Sequence, residues 1–267
     1  MRLTISHTTH YKYDAPVRYG LSRLRLTPNS DPTQTVLTWK TEIDGGKKEV
    51  SYFDHFHNRV ELISLDPDAT EIHVRSEGQV DTRDCAGVAG EHHGYAPLWL
   101  FRRTTPLTTP GAAVQELVAS LGDPSADALP RLHALSDAIG ARVTYSKGQT
   151  TSTSAVEEVL AAGKGVCQDH AHVFLSAARL MGLPARYVSG YLMMDEQVDQ
   201  EASHAWAEAY VQGLGWVGFD VSNEVCPDER YVRVATGLDY QDAAPISGMR
   251  YGVASESMVV AVHVSEQ

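Results

Sequence analysis

The chain contains few cysteines and no long apolar segment. Cys85, Cys167 and Cys226 are its three cysteines among 267 residues. An odd number of scattered cysteines is a poor basis for a disulfide framework, so we expect reduced thiols and a cytoplasmic location. No run of 18 apolar residues is present, and no basic segment followed by an apolar run opens the chain. Neither a membrane span nor a secretory signal is therefore predicted.

Positive charge is also scarce in this sequence. The 22 Lys and Arg side chains are outnumbered by 34 Asp and Glu, which gives a net charge of −12. This balance argues against binding to nucleic acid or to an anionic membrane surface. The simplest explanation of the acidity is solubility rather than a preference for cationic substrates. With 43% hydrophobic residues, the chain can form one large or two modest globular domains.

Residues 1–97 are expected to form an antiparallel β-sandwich domain. Leu3, Ile5 and His7 alternate with polar neighbours, as in a strand with one buried face. Further strand-like segments lie at 35–43, 50–56, 60–65 and 71–80. Clusters of Asn, Asp, Pro and Gly separate these segments. Short strands at such spacing are typical of a sandwich.

The pattern becomes helical after a Pro- and Thr-rich linker at 97–110. Ser154 and Glu157 have the spacing of a capping box, and Gly163 is expected to end the helix that they begin. The next segment, 167–182, is apolar on nearly all sides, which indicates a buried helix. Other helices are expected at 112–121 and 130–140, and strands at 185–194, 204–211, 216–221 and 258–264. The sequence therefore predicts an α+β domain over residues 98–267, with the helix that bears Cys167 packed on an antiparallel sheet.

Cys167 stands where a helix should begin, directly after Gly163-Lys164-Gly165-Val166. The thiolate is the reactive form of cysteine, and a helix N-terminus lowers a thiol pKa through its dipole and free amides. A buried structural cysteine is the alternative interpretation.

His204 and Asp220 supply the partners that a cysteine nucleophile needs. A three-residue hairpin loop at 211–213 would make them direct cross-strand neighbours on one face of a sheet. The carboxylate could then orient the imidazole and stabilise its charged form. A loop shifted toward Gly215 would instead pair Asp220 with Glu208. We predict Cys167 as nucleophile, His204 as base and acid, and Asp220 as the group that orients His204.

Four segments also carry a family resemblance. They are Gly-Val-Cys-Gln-Asp-His-Ala-His at 165–172, Ala-Arg-Tyr-Val-Ser-Gly-Tyr at 185–191, Ser-His-Ala-Trp-Ala-Glu at 203–208 and Gly-Trp-Val-Gly-Phe-Asp at 215–220. Together they resemble the motifs of the bacterial transglutaminase-like (papain-like) superfamily. The N-terminal β region resembles the β domain that precedes this core in one bacterial subfamily. One departure is Val221-Ser222-Asn223, where the family usually has Pro-Thr-Asn.

The resemblance implies a papain-like core and the same roles for Cys167, His204 and Asp220. It implies a cysteine-dependent peptidase or amidase that acts on a peptide or protein amide through a thioester. Transfer of the acyl group to an amine, as in transglutaminases, is the alternative. A non-catalytic binding module is a third possibility, against which the complete set of three residues argues.

Other residues near these motifs have less certain roles. Trp206 and Trp216 flank the expected site and are candidate cleft walls. Asp169 either complements the helix N-terminus or contacts substrate. His55 and His57 could face one metal from a strand, but no further ligand lies at a usual zinc spacing. We expect neither a metal site nor a cofactor.

Overall fold

The structure is a computed structural model that describes residues 1–194, 198–251 and 255–267. Within these residues the strands are β1 Arg2–Val17, β2 Tyr19–Thr27, β3 Gln34–Asp44, β4 Gly46–Phe53, β5 Arg59–Leu65, β6 Ala69–Thr82, β7 Val88–Gly90, β8 Thr144–Tyr145, β9 Lys164–Gly165, β10 Ala185–Leu192, β11 Asp199–Gln200, β12 His204–Val211, β13 Gly215–Phe219, β14 Tyr231–Gly237, β15 Ile246–Tyr251 and β16 Glu256–Glu266. The α-helices are α1 Ala112–Ala119, α2 Ala128–Arg142, α3 Val156–Ala162, α4 Cys167–Leu180 and α5 Tyr240–Ala243, and a 3₁₀ helix covers Leu98–Arg102. In these ranges no helix is long and apolar enough to cross a bilayer.

Two antiparallel sheets form the N-terminal unit. One sheet has the order β11-β16-β1-β6-β3, and the other has the order β15-β2-β5-β4. Leu24 and Ile63 of the second sheet pack against Ile72 and Val74 of the first. The buried residues of β1 have a further partner, since Leu3 and Ile5, which alternate with less buried neighbours, pack with Tyr191 of β10 and Val232 of β14.

The last two strands of the chain lie with the first ones. β16 pairs with β1 from Leu3↔Glu266 to Tyr13↔Glu256, and β15 pairs with β2. The strand expected at 258–264 is therefore present, but in the N-terminal sandwich. The division into domains 1–97 and 98–267 stays a prediction, and any division of this kind separates hydrogen-bonded strands.

The C-terminal core is an antiparallel sheet of order β14-β10-β12-β13-β7 with α4 packed on it. Phe174 of α4 stacks on Phe219 of β13, with ring centroids 4.9 Å apart. Arg179 of α4 is buried but fully used, since its guanidinium donates to the carbonyls of Phe101, Ala185 and Leu238 and to Thr108 Oγ1. The α+β fold class, with the Cys167 helix on an antiparallel sheet, is confirmed.

The predicted register of the β12–β13 hairpin is wrong by two residues. The strands pair Val211 with Gly215 and Ala207 with Phe219, so that the loop is 212–214. Gly215 has a φ of +86°, and a Cβ there would lie 2.1 Å from the carbonyl oxygen of Gly90. Gly215 therefore belongs to strand β13, which lies beside β7. The loop begins one residue later than predicted. A shift of two residues leaves each side chain on the face that was predicted.

The capping box predicted at Ser154 and Glu157 is wrong, because the residue that caps the helix is Ala155, which has no side-chain oxygen. Helix α3 begins at Val156, and Glu158 accepts a hydrogen bond from the Ala155 backbone amide at 3.0 Å. Glu157 instead accepts from the first amides of helix α1, including Ala113 N at 3.0 Å. The predicted stop at Gly163 is confirmed, with a φ of +62°.

A buried ionic network joins the core sheet to the N-terminal unit. Glu208 of β12 accepts from Arg186 Nε of β10 at 2.6 Å and from Arg233 Nη2 of β14 at 2.5 Å. Arg233 Nη1 also donates to Asp31 at 2.8 Å. Burial would raise the pKa of Glu208, but the two arginines hold it below its usual range. The carboxylate therefore stays charged inside the protein.

Replacing Glu208 with glutamine should destabilise the whole fold. The change leaves two buried guanidinium groups without their shared counter-charge, which typically costs about 3–5 kcal/mol. The free energy of unfolding from urea denaturation measures this. Asp81→Asn, which breaks the exposed Arg2–Asp81 pair, is the control and should have a much smaller effect. Equal effects of the two changes would contradict the importance of the network.

Candidate active site

Helix α4 begins at Cys167, and Asp169 fixes the backbone just before it. Asp169 Oδ2 accepts from Val166 N at 2.8 Å and from Thr150 Oγ1 at 2.6 Å. Gly165 makes room for this contact, because a Cβ at that position would lie 2.7 Å from Asp169 Cβ. Asp169 is itself buried. The structure places Asp169 at the helix N-terminus. Its buried carboxylate does not face the cleft, which corrects the expectation that it contacts substrate.

His204 and Asp220 are hydrogen-bonded although they are not direct cross-strand partners. His204 Nε2 lies 2.6 Å from Asp220 Oδ2, and because a carboxylate only accepts, Nε2 carries the proton. The strand register, continued by one pair, sets Trp206 opposite Asp220, so that the histidine reaches the carboxylate diagonally. The His204 ring and Cys167 line the same cleft.

The Asp220 carboxylate is held by further donors. Oδ2 also accepts from Asn223 Nδ2 at 2.7 Å and from the Tyr231 hydroxyl at 2.8 Å, and Oδ1 accepts from Ser222 N at 3.1 Å. Burial opposes the charged form, but His204 and these donors lower the pKa of Asp220. Asp220 is thus a fixed, ionised carboxylate behind the histidine.

The imidazole of His204 is correspondingly basic. Burial disfavours the imidazolium, but the charges of Asp220 and then Cys167 outweigh it and raise the pKa of His204 to about 10. His204 is thus a proton donor that faces the same cleft as Cys167. The arrangement can therefore hold a nucleophile and a proton donor together.

Ser222, which stands where the family usually has threonine, uses its hydroxyl in a hydrogen bond. The Ser222 hydroxyl donates to His170 Nδ1 at 2.7 Å, while His170 Nε2 donates to the Val143 carbonyl at 2.9 Å. Burial lowers the pKa of His170, so this histidine is neutral. Its neighbour His172 points elsewhere, where Nε2 accepts from Tyr240 N at 3.1 Å. The two histidines do not share a site.

Cys167 and His204 open into a cleft of about 700 Å³. Its wall includes Tyr145, Gln168, Gln200 and Met194. Apolar and polar groups thus alternate around the thiol, as suits an extended substrate with both side chains and backbone amides.

The two tryptophans do not line this cleft. Trp206 is buried beneath His204, with ring centroids 6.2 Å apart. Trp216 is buried against Phe101, with the Arg186 guanidinium 4.2 Å from its ring. Trp206 packs beneath His204, and Trp216 packs in a separate cluster with Phe101, so the expected role of both as cleft walls is corrected.

Comparison with known proteins identifies the family of this chain. Residues 113–221 match the family model described as the transglutaminase-like superfamily, and residues 3–81 match the bacterial transglutaminase-like N-terminal region. An uncharacterized protein of Mycobacterium leprae is 32% identical over 282 residues, covering 99% of this chain and 98% of that protein. The chain belongs to the transglutaminase-like superfamily.

Two other similarities help to define this member of the superfamily. A solved structure from Cytophaga hutchinsonii, described as a candidate cysteine protease, superposes with a TM-score of 0.76 at 21% identity, over 100% of this chain and 91% of that one. It shares the fold. A Pseudomonas aeruginosa protein-glutamine gamma-glutamyltransferase is 30% identical over 102 residues, which are 33% of this chain and 15% of that protein.

Sequence reasoning missed the groups behind the triad. Tyr231 lies on β14, two strands from β12, and no local pattern links it to Asp220. Asn223 appeared in the sequence only as the last residue of the altered motif Val221-Ser222-Asn223, without an assigned role. The assignment of catalytic roles to Cys167, His204 and Asp220 stays a prediction.

The raised pKa of His204 can be measured by NMR titration of its ring. Asp220→Asn should lower this pKa strongly, and Cys167→Ala should lower it less, since Asp220 has the stronger effect. Because the folded pKa exceeds the unfolded value of about 6.5, this interaction stabilises the fold fully below that pH. The contribution is lost as the pH rises through about 10. A wild-type titration near 6.5 would contradict the ion pair.

Ser222→Ala should destabilise the protein, and Ser222→Thr should not. The alanine leaves the buried His170 Nδ1 without its donor, which costs about 1–3 kcal/mol, whereas threonine keeps a hydroxyl. Urea denaturation of both variants tests this. Equal loss in both would show that the size of the side chain, and not its hydroxyl, is what matters.

Proposed function

We propose that this protein is a cysteine-dependent amide hydrolase that acts on a peptide or protein through a thioester acyl-enzyme. The observation that carries the proposal is the 2.6 Å hydrogen bond between His204 and a buried Asp220, with Cys167 at a helix N-terminus in the cleft that His204 also lines. This is the arrangement that an activated thiol requires.

The first half of the reaction forms the acyl-enzyme. The Cys167 thiolate attacks the amide carbonyl carbon, and the negative charge moves to the carbonyl oxygen. The Cys167 backbone amide, at the first turn of α4, is the donor that we assign to this oxyanion. The tetrahedral intermediate collapses, the C–N bond breaks, and the His204 imidazolium gives its proton to the leaving amine.

The second half releases the acyl group. Neutral His204 takes a proton from a water molecule, whose oxygen attacks the thioester carbonyl. The C–S bond then breaks, the carboxylic acid leaves, and the thiolate–imidazolium pair is restored. Asp220 keeps the imidazole oriented throughout, because Asn223 and Tyr231 hold the carboxylate in place.

Acyl transfer to a primary amine is the second candidate. The similarity of 102 residues to the Pseudomonas glutamyltransferase supports it, and the same thioester would form. We favour hydrolysis, since the Cytophaga neighbour that matches the whole chain is described as a candidate protease. A non-catalytic binding role is the third candidate. Expectations of no nucleic-acid or membrane partner, and of a cytoplasmic location, stay predictions.

Trapping of the acyl-enzyme tests the proposal directly. The protein is incubated with cell extract, denatured in acid, digested and examined by mass spectrometry for an acyl group on Cys167. Release of that group by hydroxylamine identifies a thioester. The matched control is Cys226→Ala, which removes a thiol whose pKa burial raises and should leave trapping unchanged. Absence of any acyl group on Cys167 would favour the binding role.

Substitution of the three residues should produce a graded loss of activity toward the trapped substrate. By analogy with triad enzymes, Cys167→Ala or His204→Ala should cost on the order of 10⁶ in kcat, and Asp220→Asn on the order of 10⁴. Iodoacetamide should also label Cys167 faster than Cys85 or Cys226 at neutral pH. Slower labelling of an accessible Cys167 in the folded protein would remove its assignment as nucleophile.

Addition of a primary amine separates hydrolysis from transfer. A hydrolase yields mainly free acid even with millimolar amine, whereas a transferase yields mainly the substituted amide. The ratio of the two products on the trapped substrate decides between the candidates, with Cys167→Ala as the blank.

A further inference from the structure

A second group of titratable side chains lies outside the cleft, on the outer face of the sandwich. Within the described part of the chain, His10, Glu71 and His73 form the one group of three potential ligands whose ligand atoms all lie within 4.8 Å. His10 is on β1, and the other two are on the neighbouring strand β6. No sequence motif pointed to them, because 60 residues separate His10 from Glu71.

The strand register places these three side chains on one surface. His10 and His73 are direct cross-strand partners, and Glu71 precedes His73 by two residues. Ile72 and Val74 alternate with them and are buried in the sandwich core. A slip of one residue would expose that core, so the outward direction of the three ligands is strongly fixed.

The distances suit a small divalent cation. His10 Nε2 lies 3.0 Å, and His73 Nε2 3.8 Å, from Glu71 Oε2. Zinc bonds of about 2.0–2.2 Å in a tetrahedral site separate neighbouring ligand atoms by roughly 3.3–3.5 Å. The two imidazole rings already stack at 3.6 Å and 19°. Stacked rings direct their Nε2 lone pairs along nearly parallel lines, so the two rings must tilt apart on their strands to bring all three atoms onto one ion.

The charges around the group come from the adjacent strands. Asp44 of β3 is the cross-strand partner of His73 and adds negative charge beside it. Lys12 of β1 is the partner of Glu71 and opposes cation binding. On the far side of His10 stands Val259 of β16, which is neutral. The nearest carboxylate and the nearest ammonium thus offset each other, and the affinity depends on the three ligands themselves.

We propose that His10, Glu71 and His73 bind Zn²⁺ and that the bound ion joins β1 to β6. Two imidazoles and one carboxylate favour a borderline metal such as zinc over calcium or magnesium, which prefer oxygen ligands. Water completes the coordination. The ligands lie on an outward-facing sheet surface, so the bound ion links the two neighbouring strands. An ion that binds the folded protein and not the unfolded chain stabilises the fold by mass action.

Zinc titration of chelator-treated protein tests the site. Because thiols also bind zinc, all proteins are first alkylated with iodoacetamide. Isothermal calorimetry with ZnCl₂ should show one equivalent bound to the wild type. His73→Ala and Glu71→Gln should each weaken binding by about 100-fold, since even changes behind a metal ligand cost 10–100-fold. His263→Ala is the control and should bind like the wild type, because His263 lies on the same sheet but pairs only with Asp199 in the described residues.

Thermal unfolding supplies an independent measurement. Added ZnCl₂ should raise the unfolding midpoint of the wild type and of His263→Ala, and should leave that of His73→Ala unchanged. Circular dichroism without zinc shows whether each variant is folded, and Glu71→Gln replaces His73→Ala if the latter is not. Absence of saturable binding by the wild type, or equal binding by the ligand variants, would overturn the proposal. Neither outcome bears on the chemistry proposed for Cys167.

Discussion

The Glu208 carboxylate, held in the interior between Arg186 and Arg233, is the contact on which the rest of the structure depends. It ties together the three adjacent strands β10, β12 and β14, and through Asp31 it connects them to the N-terminal unit. A buried charge of this kind is costly unless its partners are correctly placed. The strands can therefore assemble stably in one arrangement, and strand β12 carries His204 at its first position.

The proposed active site also depends on a buried carboxylate. Asp220 is also a buried carboxylate, but its charged partner is a histidine that can release a proton. Tyr231 and Asn223 occupy most of the remaining acceptor positions of the carboxylate, so that it neither rotates nor protonates easily. Glu208 has a structural role because its arginine partners stay protonated. The histidine partner of Asp220 can gain and lose a proton, which is what the proposed catalysis requires.

The sandwich includes strands that follow the core sheet in the chain, and it is also hydrogen-bonded to that sheet. Gln34 exchanges hydrogen bonds with the backbone of Arg233, at 2.8 Å for both, and Asn58 does the same with Thr236 at 2.7 and 2.8 Å. These side-chain amides form hydrogen bonds with the backbone of β14, as the backbone of a neighbouring strand would. A zinc ion that joins β1 to β6 would thus act on a unit that directly supports the sheet that carries His204.

The sequence by itself determined the α+β class, the buried helix after Cys167 and the shared face of His204 and Asp220, because these depend on local periodicity and on strand parity. It did not determine the hairpin register, since Gly213 and Gly215 both adopt the left-handed backbone, and the close approach of Gly215 to Gly90 joins two distant segments. The burial of Trp206 and Trp216, the contact of Tyr231 with Asp220 and the return of β16 to β1 were likewise decided by tertiary structure. Each depends on packing or pairing between different strands or loops, and a single sequence does not record which partner will be chosen.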